Sequence, residues 1–285
     1  MNELYIIQPN KNISKILQNM VERSTKDIPH QIIDDINNIP NLTYKKLIFV
    51  AQVEDVGYDI PMIQFLAKLL ERGRDSLKGS TGALMIYSID DHGTKRIAQD
   101  IVYITNNIGC AFIGHPLVEA TASLKNFSTW QKTMHMPLEE ICYALCNGLV
   151  KRLMVDNSLK ISNGKMLVLY SSTHKTSNTL DLWHMVSKHL SGISIKEIKI
   201  ENGKVLDCLG CSYKLCLHYG KKKGCFYGGV ITDAVMPSID ESDVIVWLCP
   251  NYNDAVAANL TAVINRLTAL YRRSSFYKKY MFAVI

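Results

Sequence analysis

Short apolar runs alternate with longer amphipathic stretches along the whole chain. Leu4–Gln8 (LYIIQ) reads as a buried strand, and Ser14–Arg23 as a helix opened by a Ser cap. Gln31–Ile36 is a second, weaker strand. Lys46–Val53 (KLIFVAQV) is apolar almost without a break, which suits a strand covered on both faces. Pro61–Arg72 predicts a helix with Pro in its first turn and Gly73 at its end. Gly82–Ser88 is the next strand, Thr94–Asn107 a helix ending at Gly109, Cys110–Gly114 a fifth strand and Pro137–Met154 a long closing helix. With a crossover hidden in residues 37–45, this alternation predicts a parallel sheet wrapped by helices.

Val155–Lys165 is polar and turn-rich, and the pattern then restarts. Lys165–Ser172 is a strand, Ser177–Leu190 a helix and Ile193–Ile200 a strand. After a cysteine-bearing stretch come a strand at Asp243–Pro250, a long helix at Ala255–Tyr271 and a final strand at Tyr280–Ile285. The expected organisation is α/β with two tandem doubly wound domains, 1–158 and 159–285. The second stops inside what would be its fourth strand. That predicts either a sheet open at one edge or a covering tail or partner, because an exposed apolar edge strand invites aggregation.

Two segments at strand exits carry candidate chemistry. The first is YSSTHKTSNTL (Tyr170–Leu180), between a buried strand and a helix. A helix start aims free N–H groups and a positive end outward, which suits a phosphate. Ser171, Ser172, Thr173, Thr176, Ser177 and Thr179 add hydroxyls, Lys175 a charge, and Asn178 a cap or local bond. A Ser/Thr-rich turn and helix cap would use the same residues. The second is CPNYNDAVAANL (Cys249–Leu260), at the carboxyl end of another strong strand, where open α/β sheets bind ligands. Pro250 and Asn251 make a turn, Tyr252 offers an aromatic face, and Asn253 and Asp254 are suited to capping the following helix.

Composition adds one anomaly. Of eight cysteines, Cys208, Cys211, Cys216 and Cys225 are clustered. The C-x2-C start suits a metal or iron–sulfur clasp, while the longer spacings that follow leave redox-sensitive thiols or an ordinary loop open. Cys110, Cys142 and Cys146 lie on apolar faces and read as core. In Gly114–Phe127, His115 and Glu119 stand four apart, a spacing open to acid–base work but better suited to structural polar contacts. The chain has 285 residues, 47% hydrophobic and 20% charged, which excludes a mainly disordered protein. A net charge of +6 does not call for a nucleic-acid partner, and Lys221–Lys223 and Arg272, Arg273, Lys278 and Lys279 read as solvated surface. No apolar run reaches the ~18–20 residues of a membrane span, and the N-terminus lacks the basic start and apolar stretch of a signal peptide. A cytoplasmic protein without membrane partners is the expectation.

With both strand exits in view, residues 165–285 resemble the flavodoxin-like NAD(P)H-dependent FMN reductases. LYSSTHKTSNT is similar to that family's G-S-x-R-x-x-S-N-T phosphate loop, with Ser177, Asn178 and Thr179 on its end; the family's usual Gly and Arg are absent. LCPNYNDAVAANLTAVINRL is similar to its second signature, with Pro250, Tyr252, Asn265 and Arg266 on marked positions and Asn265 in place of the usual Asp. The cysteine stretch resembles the insert of the iron–sulfur flavoprotein branch, with the third and fourth cysteines further along. The resemblance implies two flavodoxin-like domains, the first without cofactor. It implies FMN phosphate at Ser171–Thr179, the flavin ring by Pro250–Asn253, NAD(P)H as co-substrate, a small-molecule substrate or redox acceptor and a homodimer. It also raises an iron–sulfur cluster on Cys208, Cys211, Cys216 and Cys225. A flavodoxin-like electron-transfer or interaction protein without turnover is the competing expectation.

Overall fold

The computed structural model describes residues 3–156, 163–172, 177–201, 205–271 and 276–285. The chain divides into two compact units, Met1–Asn157 and Ser158–Ile285. In the first, the elements run β1 (Leu4–Ile7), α1 (Lys15–Thr25), β2 (His30–Ile33), β3 (Lys46–Val53), α2 (Ile60–Glu71), β4 (Ser80–Ser88), α3 (Thr94–Asn107), β5 (Cys110–Thr121), α4 (Ser128–Met134) and α5 (Leu138–Val155). The strands form one parallel sheet in the order β2-β1-β3-β4-β5.

The two-residue side-chain period of a strand explains both cores. Leu4, Ile6, Ile48, Val50, Ala83 and Met85 face α1 and α5, packing on Leu17, Met20, Ile141, Cys146 and Leu149. The alternate positions, Tyr5, Ile7, Leu47, Phe49, Leu84 and Ile86, face α2 and α3 through Met62, Phe65, Leu69, Ile97 and Ile101. Each large side chain so buried contributes about 2 kcal/mol. β3 and β4 are therefore apolar at nearly every position, the pattern that marked them in the sequence. Caps fix where helices start: Ser14 accepts from the Leu17 N–H, and Asp59 from that of Met62.

Two details depart from the sequence expectation. The link from β2 to β3 crosses over β1, but it does so through turns rather than a helix. β5 is longer than Cys110–Gly114 and bulged: Gly82 pairs with Phe112 and Leu84 with Leu117, so residues 113–116 stand out of register.

The second unit runs β6 (Lys165–Tyr170), α6 (Asn178–Ser187), β7 (Ser194–Lys199), α7 (Tyr213–Gly220), a π-helical turn (Ile231–Val235) into α8 (Met236–Glu241), β8 (Val244–Leu248), β9 (Asn251–Tyr252), β10 (Ala255–Val256), α9 (Ala258–Arg266), α10 (Thr268–Tyr271) and β11 (Tyr280–Val284). Its main sheet is parallel, in the order β11-β8-β6-β7. Read by position in the chain, this is the winding of the first sheet, and both units are flavodoxin-like. Leu167, Leu169, Ile245 and Trp247 pack against α8, α9 and α10. The other face, Met166, Val168, Val244, Val246 and Leu248, is covered by Trp183 of α6. β11 lies at the sheet edge, pairs only with β8 among the described residues, and exposes Met281 and Phe282. The sequence pattern had left the cysteine stretch without helices; α7 and α8 lie in and after it. The long helix expected at Ala255–Tyr271 is instead two, joined at Leu267. Among the described residues no helix is long and apolar enough to cross a membrane.

Lys221–Lys223 are exposed, as expected, and Lys223 pairs with Asp240. Lys279 donates to the Asp240 and Ser242 carbonyls, and burial lowers its pKa. Arg272 and Arg273 lie outside the described residues.

α7 meets α10 closely at Gly220. A Cβ there would stand 2.9 Å from the Ala269 carbonyl oxygen, which is backbone and cannot swing away. Gly220→Ala is expected to destabilise the second unit by about 1–3 kcal/mol, read as a lower urea midpoint.

Candidate functional site

β6 and β8 are hydrogen-bonded neighbours running in the same direction, with Tyr170 opposite Leu248. Their exits at Ser171 and Cys249 therefore stand side by side at the carboxyl edge of the sheet, where free backbone groups are available to a ligand. Ser171 and Ser172 are buried, with relative exposures of 4% and 9%. The Ser171 hydroxyl has no hydrogen-bond partner among the described residues. A buried unpaired hydroxyl costs about 1–3 kcal/mol, which sets this position apart from the other buried hydroxyls described.

The chain enters α6 at Ser177, whose hydroxyl accepts from the Leu180 N–H at 3.4 Å while its carbonyl accepts from the Asp181 N–H at 2.8 Å. Asn178 and Thr179 are the first helical residues, so their N–H groups have no partner within the helix. Asp181 in the first turn opposes the positive end of the helix. Thr173 and Thr176, also expected at this site, lie outside the described residues, as do His174 and Lys175.

On the β8 side the structure corrects the sequence reading. Asn253 and Asp254 do not cap a helix. They are the two central residues of a hairpin between β9 and β10, with φ of 52° and 58°. Positive φ at both positions is the type I′ geometry that matches strand twist and favours Asn and Asp. Asn251 Oδ1 accepts from the Asp254 N–H at 2.8 Å and so is committed to the turn. The following helix starts at Ala257 without a side-chain cap. The hairpin projects Tyr252 into solvent, 47% exposed, directly beyond the sheet edge. Asn259 of α9 donates to the Ile200 carbonyl at 2.9 Å, fixing the neighbouring exit of β7.

The cysteine stretch is organised by a residue the sequence reading had only matched to a motif. Arg266 is 3% exposed. Its guanidinium donates to the Leu206 carbonyl at 3.1 Å, the Gly228 carbonyl at 2.7 Å, Thr232 Oγ1 at 3.0 Å and Cys225 Sγ at 3.4 Å. Beside it, Asn265 donates to both Asp207 carboxylate oxygens. A signal was present in the sequence: Arg266 shares the buried stripe of α9 with Leu260 and Val263. An arginine there must find buried acceptors.

Around this arginine the thiols converge. Cys216, Cys225 and Cys208 all lie near enough to Cys211 to act on it electrostatically. Partial desolvation, followed by these neighbours, raises the Cys211 pKa, and desolvation first, then the same cysteines, raises that of Tyr227. Among the described residues no group of three or more His, Cys, Asp or Glu side chains is arranged to hold a metal ion. The iron–sulfur expectation for Cys208, Cys211, Cys216 and Cys225 therefore has no support in the structure.

In the first unit the polar residues at the strand exits are engaged with one another. Gln52 Oε1 accepts from the Ser14 N–H at 2.6 Å, and Asp59 accepts from the Gln52 and Met62 N–H groups. Asn10 donates to Glu54 at 3.1 Å. His115 and Glu119 do not form an acid–base pair: Glu119 accepts from Thr94 and faces Lys95, while the His115 carbonyl accepts from Arg152. A cleft of about 130 Å³ between α2 and α3 is lined mainly by apolar side chains such as Met62, Leu66 and Ile101.

Replacing Arg266 tests how much of the second unit it organises. Arg266→Met removes a buried guanidinium that serves three partly buried oxygen acceptors and is expected to cost about 2–4 kcal/mol. Chemical denaturation should show the loss, and proteolysis should become faster between residues 205 and 232.

No curated protein matches the chain. Residues 165–285, which span the second sheet, Ser171 and the Arg266-centred stretch, match the family model of the NADPH-dependent FMN reductases.

Proposed function

We propose that the second unit binds FMN and acts as an NAD(P)H-dependent oxidoreductase that reduces a small-molecule acceptor. One observation supports this above the others. The region matching the reductase family holds a buried serine hydroxyl without a partner among the described residues, beside the open start of a helix.

The residues present fit the cofactor. In this reading Ser171, Ser172, Ser177, Asn178 and Thr179 bind its phosphate through hydroxyls and helix-start N–H groups, with Thr173 and Thr176 in the same loop. Pro250, Asn251, Tyr252 and Asn253 border the ring, Tyr252 offering a free aromatic face and the hairpin backbone setting its position. FMN supplies the redox chemistry, accepting a hydride from the nicotinamide and passing electrons on. The protein's part is to bind, orient and shield; no side-chain acid or base is required for that transfer. The buried floor of Ser171, Ser172 and Cys249 keeps water from one side of the site.

Purified protein is expected to be yellow, or to become so on adding FMN, and NAD(P)H should bleach the bound flavin. Bleaching separates a reductase from a passive carrier. Ser171→Ala should weaken FMN binding about 10–100-fold, the loss of a hydrogen bond to a charged group. Its melting temperature without FMN should stay level or rise, because the hydroxyl has no partner to lose among the described residues. A protein that neither retains nor rebinds FMN would remove the reading.

A further inference from the structure

The four clustered cysteines invite a metal, but their contacts are not those of a metal clasp. The chain enters α7 through Ser212, whose hydroxyl accepts from the Leu215 N–H at 3.4 Å. This makes Ser212 the N-cap. Cys211 then occupies the position before the cap and Cys216 the fourth helical position. These are the two places whose side chains pack together when a chain turns into a helix. In most proteins two apolar residues make that contact. Here both are thiols, and of the neighbouring cysteines Cys216 acts on Cys211 most strongly. Both are partly exposed, so an oxidant can reach them. Cys225 is engaged differently, accepting from the Arg266 Nε–H at 3.4 Å, with Arg266 anchored by three further bonds. The capping geometry thus singles out one thiol pair within the cluster, while the Cys225 sulfur is engaged by the arginine.

We infer that Cys211 and Cys216 form a reversible redox pair, closing to a disulfide that covalently locks the first turns of α7. The oxidant is a peroxide. The Cys216 thiolate attacks one peroxide oxygen, the O–O bond breaks, and the departing hydroxide takes up a proton to leave as water; Cys216 becomes a sulfenic acid. The Cys211 sulfur attacks the Cys216 sulfur and displaces hydroxide, which leaves as a second water with the Cys211 proton. Two thiols and one peroxide give one disulfide and two waters. Cys211, on the segment just before the cap, takes the resolving part. A dithiol reductant reverses the reaction. The inference stands independently of flavin binding.

Trypsin provides the test, because Lys214 lies between the two cysteines. Full-length protein is treated with hydrogen peroxide, alkylated, denatured and digested. The expected product is peptide 205–214 joined to peptide 215–221, two hydrogens lighter than their sum and separated again by dithiothreitol. Cys208→Ser should retain the cross-link and Cys211→Ser should abolish it, leaving Cys216 as a sulfenic acid trapped by dimedone. A link through Cys208 or Cys225, or oxidation of these thiols without any link, overturns the proposal. So does anaerobically purified protein with stoichiometric iron and sulfide, or zinc, on the cysteines. Should Cys211→Ser fail to fold, fragment ions from the unsubstituted protein still locate the bond.

Discussion

A parallel sheet puts the carboxyl ends of all its strands on one side, and in the second unit this constraint positions everything of chemical interest. β6 and β8 are adjacent, with Tyr170 opposite Leu248. The Ser171 loop and the hairpin that follows β8 must therefore emerge together. The apolar content of both strands follows from the same arrangement, since each is covered on two faces. The start of α6, with the Asn178 and Thr179 N–H groups outside the helical ladder, suits that edge to an anion.

A second constraint acts below the edge. Arg266 places a guanidinium in a nearly dry position, and its donors must be met. Carbonyls of Leu206 and Gly228, the Thr232 hydroxyl and the Cys225 sulfur meet them, drawing the stretch together. Asn265 and Asp207 add a second clasp one residue away. The cysteine stretch is thus organised by α9, the helix that also follows the β9–β10 hairpin. Arg266 connects the order of this stretch to the placement of the candidate site.

The two units show how one winding order accommodates different edges. In the first, Asn10, Ser14, Gln52, Glu54 and Asp59 satisfy one another across the strand exits. In the second, Ser171 is left without a partner among the described residues. Among the described residues, the same topology therefore joins polar strand-exit side chains to one another in one unit and leaves the Ser171 hydroxyl without such a bond in the other. The difference lies in a handful of loop side chains rather than in the sheets, as expected where function resides in loops on a rigid scaffold.

Much of this was legible in the residue pattern. Continuous apolar runs at Lys46–Val53 and Gly82–Ser88 identified strands covered on both faces, and the 3.6-residue period of Thr94–Asn107 fixed that helix at both ends. Hydroxyl density after β6 and the Pro-Asn-Tyr turn after β8 marked the strand exits, because local composition reports local backbone demands. Tertiary structure decided the rest. Asn253 and Asp254 suit a cap and a type I′ turn equally, and pairing of Asn251 with Val256 selects the turn. The bulge in β5 arises from its register against β4. The acceptors of Arg266 lie up to 60 positions away in the chain. Cysteine spacing suggested a metal clasp, while the cap at Ser212 places Cys211 just before α7 and Cys216 within its first turns. Periodicity is a property of neighbouring residues and is written in the sequence; which distant donor meets which acceptor is settled only when the chain is packed.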